Sequence, residues 1–169
     1  MSSKIKKTMK KLLIIIMLGM AISMNAQAQE NQTSKTQADQ EAAIKAVVLQ
    51  YIENFFENKY EPMAAVLHPR LAKRGLQYKR SGKRRLSNDY PLAGLKKLMT
   101  IKKPLPKKHQ KNEVKILDVF RNQASVRLVT GYPKMRWVEY MHLANIDGKW
   151  VVMNVFWDYF PRKKRAKQD

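Results

Sequence analysis

Side chains able to move protons, among them Glu139, Tyr140, His142 and Asp158, fall in one stretch from Met135 to Phe160 that also holds all three tryptophans. A carboxyl group does acid–base work when an apolar pocket raises its pKa. Strand alternation groups Glu139 with Trp137 and Met141, and Tyr140 with Val138 and His142. Glu139 is read as a surface charge that offsets the surrounding Lys and Arg. His68, His109 and His142 are scattered and lack the paired helical spacing of a zinc site, so neither a metal nor a cofactor is expected. The chain has no Cys, no Ser within Gly-x-Ser-x-Gly and no Gly-rich phosphate loop. No catalytic residue is assigned, and the expectation leans away from an enzyme.

The charge pattern suggests a different chemistry. The formal net charge is +21. Residues 70–85 hold eight Lys or Arg and residues 96–111 seven, with no acid in either stretch. Lys79, Arg80, Lys83, Arg84 and Arg85 are the candidate anion-binding surface, able to attract an anionic polymer or surface nonspecifically. Apart from Tyr78 and Tyr90 the runs lack the interleaved aromatics of a single-strand groove, so specific nucleic-acid recognition is not expected. The same runs also fit a solvated face of a basic protein.

The elements that must position these residues can be read in order. Asp39 suits a helix N-cap, and over Ala42–Phe56 the residues Ile44, Val47, Val48, Tyr51, Ile52 and Phe55 recur at helical steps. Pro62 opens a short second helix, and Pro69 biases His68 away from it. Leu71–Lys79 and Arg84–Asn88 read as a small hairpin or a basic loop. A third helix covers Leu92–Ile101. Strands follow at Val114–Phe120, Ala124–Thr130, Met135–Asn145 and Lys149–Trp157. Asp147-Gly148 is a strong hairpin signal between the last two. Helices followed by consecutive strands predict an α+β fold with three helices packed on a mainly antiparallel sheet.

The first residues read as an address. Five Lys precede an apolar run, Leu12–Met24, and Ala26-Gln27-Ala28 supplies a small-x-small cleavage site. Residues 1–28 are expected to be a signal peptide, 29–38 a flexible leader, 39–160 the domain and 161–169 a basic tail. Cleavage near Ala28 would leave a periplasmic or secreted chain, and a retained membrane anchor is the alternative. Without Cys, its stability must come from packing rather than disulfides.

The first long helix (EAAIKAVVLQYIENFFENKY), LHPRL at 67–71, IDGKW at 146–150 and NVFWDY at 154–159 together resemble the nuclear transport factor 2-like superfamily, which includes ketosteroid isomerases and SnoaL-like cyclases. Within it, the chain is most similar to secreted bacterial proteins grouped as lumazine-binding. The resemblance implies a cone of helices and curved sheet around one pocket, with dimerisation through the sheet. It gives Tyr51 the role of the first-helix hydrogen-bond donor. It sets Tyr140 where the isomerases keep a protonated acid, and Gly75 near their general base. Neither position is acidic here, so the pocket carries over without the isomerase chemistry. The implied pocket residues are Tyr51, His68, Arg136, Tyr140, His142, Met153 and Trp157. The expected function is non-catalytic binding of a small aromatic or anionic ligand. An isomerase- or dehydratase-type enzyme using the same pocket, or an adhesion module working through the basic face, is the alternative.

Overall fold

The computed structural model describes residues 36–78 and 82–160. The expected signal peptide, most of the expected leader, Lys79, Arg80 and the expected basic tail lie outside the described residues. The chain forms two compact units, 1–40 and 41–169. Of the first, residues 36–40 are described, and they are helical. Helix α1 covers 36–57, so it begins before Asp39, which is not its N-cap.

In the second unit, α1 is followed by α2 (Tyr60–Ala64), β1 (Leu67–Tyr78), β2 (Arg84–Leu86), α3 (Leu92–Ile101), a 3₁₀ turn (Lys107–His109), β3 (Glu113–Phe120), β4 (Gln123–Tyr132), β5 (Met135–Ile146) and β6 (Lys149–Tyr159). The fold is α+β. The three helices do not all precede the sheet, because β1 and β2 come between α2 and α3. The sheet has six strands in the order β2-β1-β6-β5-β4-β3. All neighbours are antiparallel except β1 and β6, which run parallel.

β1 starts at Leu67, four residues before the expected Leu71. Pro69 does favour an extended His68, but the extended chain continues as strand instead of ending in a loop. The ladder to β6 skips here: Leu67 pairs with Val152 and the next pair is Ala72 with Asn154. That irregularity accommodates Pro69, which has no N–H to give a ladder. Farther along, Asp147 and Gly148 both have positive φ (50° and 80°), as a tight primed hairpin turn requires.

The core lies between α1 and one face of the sheet. Ile44, Val48, Tyr51, Ile52 and Phe56 recur every three or four residues along α1 and are buried. They join Val126 and Leu128 of β4, Met141 and Leu143 of β5, and Val152 and Val155 of β6 in one cluster. Leu95 and Met99 of α3 close the same cluster. Among the described residues no helix is long and apolar enough to cross a membrane.

Candidate functional site

Three elements converge on one carboxylate. β5 turns Trp137, Glu139, Met141 and Leu143 inward and leaves Tyr140 and His142 exposed. Glu139 is 2% exposed, so it is a core residue and not the surface charge expected from its type. Tyr51 reaches it from α1. Lys73 reaches it from β1, two strands away across β6.

Both oxygens of the acid have donors. Lys73 Nζ donates to Glu139 Oε1 at 2.7 Å. Trp137 Nε1 donates to the same oxygen at 3.0 Å, and the Tyr51 hydroxyl donates to Oε2 at 3.1 Å. A buried charge is tolerated when it is paired and hydrogen-bonded, and both conditions hold here. Lys73 Nζ also lies 5.5 Å from the centroid of the Tyr51 ring. Burial pushes the Tyr51 hydroxyl well above its ordinary pKa, with the Glu139 charge and their hydrogen bond adding in the same direction. Tyr51 therefore stays protonated and acts as a donor. Among the described residues, no buried side-chain nitrogen or oxygen lacks a partner.

Above this cluster lies a cavity of about 260 Å³. Glu139, Lys73 and Tyr51 form its polar floor, and Trp137, Trp157, Tyr159, Tyr132 and Phe55 form much of its wall. Three of them meet edge to face: Trp157 and Tyr159 are 5.1 Å apart at 70°, and Trp137 and Tyr159 are 6.1 Å apart at 80°. Burial raises the Tyr132 pKa, with the neighbouring Tyr159 adding to it. Leu95 and Leu98 of α3 supply apolar wall, and Lys102, just past the end of α3, supplies a second cation. Burial lowers the pKa of Lys102 to about 8. Among the described residues, no three His, Asp or Glu side chains come together as a metal site would need.

Residues 39–158 match a family model. The chain belongs to the family described as "Putative lumazine-binding". No curated protein matches it in sequence. Its fold is similar to that of an NTF2-like protein of unknown function from Shewanella baltica OS155 (TM-score 0.58, 20% identity, 73% of this chain and 96% of that one). It is also similar to a "Putative Scytalone Dehydratase" from Novosphingobium aromaticivorans DSM 12444 (TM-score 0.55, 17% identity, 76% and 89%). A ketosteroid isomerase-like protein from Erwinia carotovora atroseptica is a third (TM-score 0.51, 13% identity, 71% and 95%). At these identities the likeness concerns the fold, and the chain shares the NTF2-like architecture.

Within this member of the lumazine-binding family, the pocket residues expected from sequence separate into two groups. Tyr51 and Trp157 border the cavity. The other five do not. Tyr140 and His142 are exposed, because the inward parity of β5 is that of Trp137 and Glu139. Arg136 donates to the Lys111 carbonyl at 2.7 Å and pairs with Glu113 at 3.4 Å. His68 Nδ1 accepts a hydrogen bond from the backbone N–H of Arg70. Met153 is the extra residue of a bulge: His142 faces Asn154 while Leu143 faces Val152. The bulge switches parity, so Val152 and Val155 both turn inward although they are three residues apart.

Glu139 was read as a surface charge, and Lys73 and Lys102 were not foreseen. A signal for the first two was present. Trp137, Met141 and Leu143 outrank Arg136, Tyr140 and His142 in apolarity, and Lys73 alternates with Leu71 and Gly75 in β1. A charged residue on each of two inward faces points to a pair. Gly75 also has a clear role. It packs against Trp157, and a β-carbon there would overlap the Trp157 ring and carbonyl oxygen. The position near which the isomerases keep a base has no room for a side chain.

Proposed function

We propose that this chain is an exported, non-catalytic binding protein that holds one small, flat aromatic ligand in the cavity, within a cone formed by the sheet and its helices. The observation that carries this is the state of Glu139. Its oxygens receive three donors and its charge is paired with Lys73, so the acid is committed to organising the cavity floor. The aromatic wall supplies contact area, and the small volume suits a compact ring system, ligand pockets commonly running to roughly 300–1,000 Å³. Membership of a family described as lumazine-binding supports the same class of ligand. Export follows from the basic, apolar and Ala-x-Ala sequence of residues 4–28. N-terminal sequencing of the exported form should find Gln29 first, and intact Met1 would refute cleavage.

Trp137 and Trp157 border the cavity and make fluorescence the natural test. Titration with lumazine and with 2-naphthamide should quench tryptophan emission and raise the melting temperature. Trp157→Phe should reduce the quenching. If no flat aromatic probe alters emission or melting, the binding function is wrong. Isomerase or dehydratase activity in the wild type, abolished by Glu139→Gln in a variant that still melts cooperatively, would replace it with the enzymatic alternative.

A further inference from the structure

We infer that Lys102 is the anchor for an anionic group on the ligand, so that the cavity selects flat aromatic anions over neutral rings of the same shape. The inference rests on the cavity being a binding site and adds the charge of its ligand.

Among the described residues Lys102 and Lys73 are the two cations of the cavity wall, and their surroundings differ. Lys73 is balanced by Glu139. Lys102 is held by neutral oxygens: its ammonium donates to the Phe56 carbonyl at 3.1 Å and to Asn58 Oδ1. It also lies 4.7 Å from the centroid of the Phe55 ring, another wall residue. An ammonium has three donors, so one remains after these two bonds. Among the described residues no carboxylate pairs with Lys102. The acids on the adjoining stretch of α1 are engaged elsewhere, Glu53 with Lys107 and Glu57 with Lys59. Among the described residues Glu139 is the only acid of the wall, and its pairing with Lys73 offsets the repulsion of an incoming anion.

The position is fixed as well as charged. The backbone N–H of Lys102 caps the Leu98 carbonyl at the end of α3, and its carbonyl accepts from Asn58 Nδ2 at 2.8 Å. Asn58 has φ of 60° at the end of α1 and so ties the two helix ends together. A cation placed this way, partly desolvated and without a counter-ion, gains most from a charge-assisted bond to a bound carboxylate, phenolate or similar anion.

The purified protein can be titrated with 2-naphthoate and with uncharged 2-naphthamide, followed by tryptophan emission. The wild type should bind the naphthoate on the order of tenfold tighter. Lys102→Met should bring the two probes to near parity, and Lys102→Arg should keep the preference. The wild-type comparison stands even if a variant folds poorly. Equal binding of the two probes by the wild type would overturn the anion assignment and leave the pocket intact. A naphthoate preference that survives in a folded Lys102→Met variant would overturn it too, since the anion would then be held elsewhere. Binding of neither probe would remove the pocket itself, and the anchor with it.

Discussion

Lys73 Nζ stands 2.7 Å from Glu139 Oε1, and the two side chains are 8% and 2% exposed. They come from strands separated by β6, so the pair spans three strands of the sheet. Removing one partner leaves the other as an uncompensated buried charge. Lys73→Met or Glu139→Gln alone should therefore cost about 3–5 kcal/mol of stability. The double variant should cost clearly less than the sum of the singles, because no lone charge remains. Denaturant melts of the four proteins check this. Strictly additive losses would mean that the pair is not coupled.

Tyr51 links the same cluster to pH. Its folded-state pKa is raised, first by burial and then by Glu139. The folded protein thus keeps the phenol proton after an unfolded chain, with a tyrosine pKa of about 10, has lost it. The unfolded state then binds fewer protons, so stability from Tyr51 is complete below pH ~10 and falls as pH rises beyond it. Tyr51→Phe should flatten the part of the alkaline decline that this residue causes. Melts between neutral pH and pH ~11 would show the difference. Parallel curves for wild type and variant would exclude Tyr51 as the source.

Much of this architecture could be read from the sequence. The Leu92–Ile101 helix, the Asp147-Gly148 turn and the core positions Val48, Ile52 and Phe55 rest on local periodicity and turn chemistry, which the structure keeps. The site was less legible because it depends on parity and on long-range pairing. Both faces of β5 carry apolar and ionisable residues, so the rule that charges lie outside pointed the wrong way at Glu139. Its partner Lys73 is 66 residues distant, and one sequence does not show that pairing. The Met153 bulge then displaced the phase of β6, which strict alternation cannot anticipate.

The basic hairpin gives a prediction independent of the cavity. Lys83, Arg84 and Arg85 are exposed, although Arg84 also lies 3.6 Å from Asp158 and Arg85 donates to Gln77. If this face meets anionic polymers, binding to heparin should weaken steeply with salt, since each neutralised anion releases a counter-ion. Substituting Lys79, Arg80, Lys83, Arg84 and Arg85 together with Gln should flatten the slope of log affinity against log salt. A slope unchanged by those substitutions would place the contact elsewhere or remove it.

Gly75 and Trp157 give the most local test of how the cavity wall is built. The two residues face each other across the parallel β1–β6 ladder, and the glycine leaves the space that the indole ring fills. Adding one methyl by Gly75→Ala would press on both the Trp157 ring and its carbonyl oxygen. The carbonyl belongs to a strand and has little room to move, whereas the ring can swing toward the cavity. Overpacking of this kind costs about 1–3 kcal/mol. The variant should therefore melt earlier, show an altered tryptophan signal in near-ultraviolet circular dichroism and bind 2-naphthamide more weakly as the ring takes up cavity space. Gly75→Ala combined with Trp157→Ala should recover part of the stability lost in Gly75→Ala relative to its Trp157→Ala parent, because the overlap with the ring is gone and the overlap with the carbonyl remains. An unchanged melt and an unchanged near-ultraviolet spectrum in the single variant would show that β1 does not lie against Trp157 and that the wall is assembled differently.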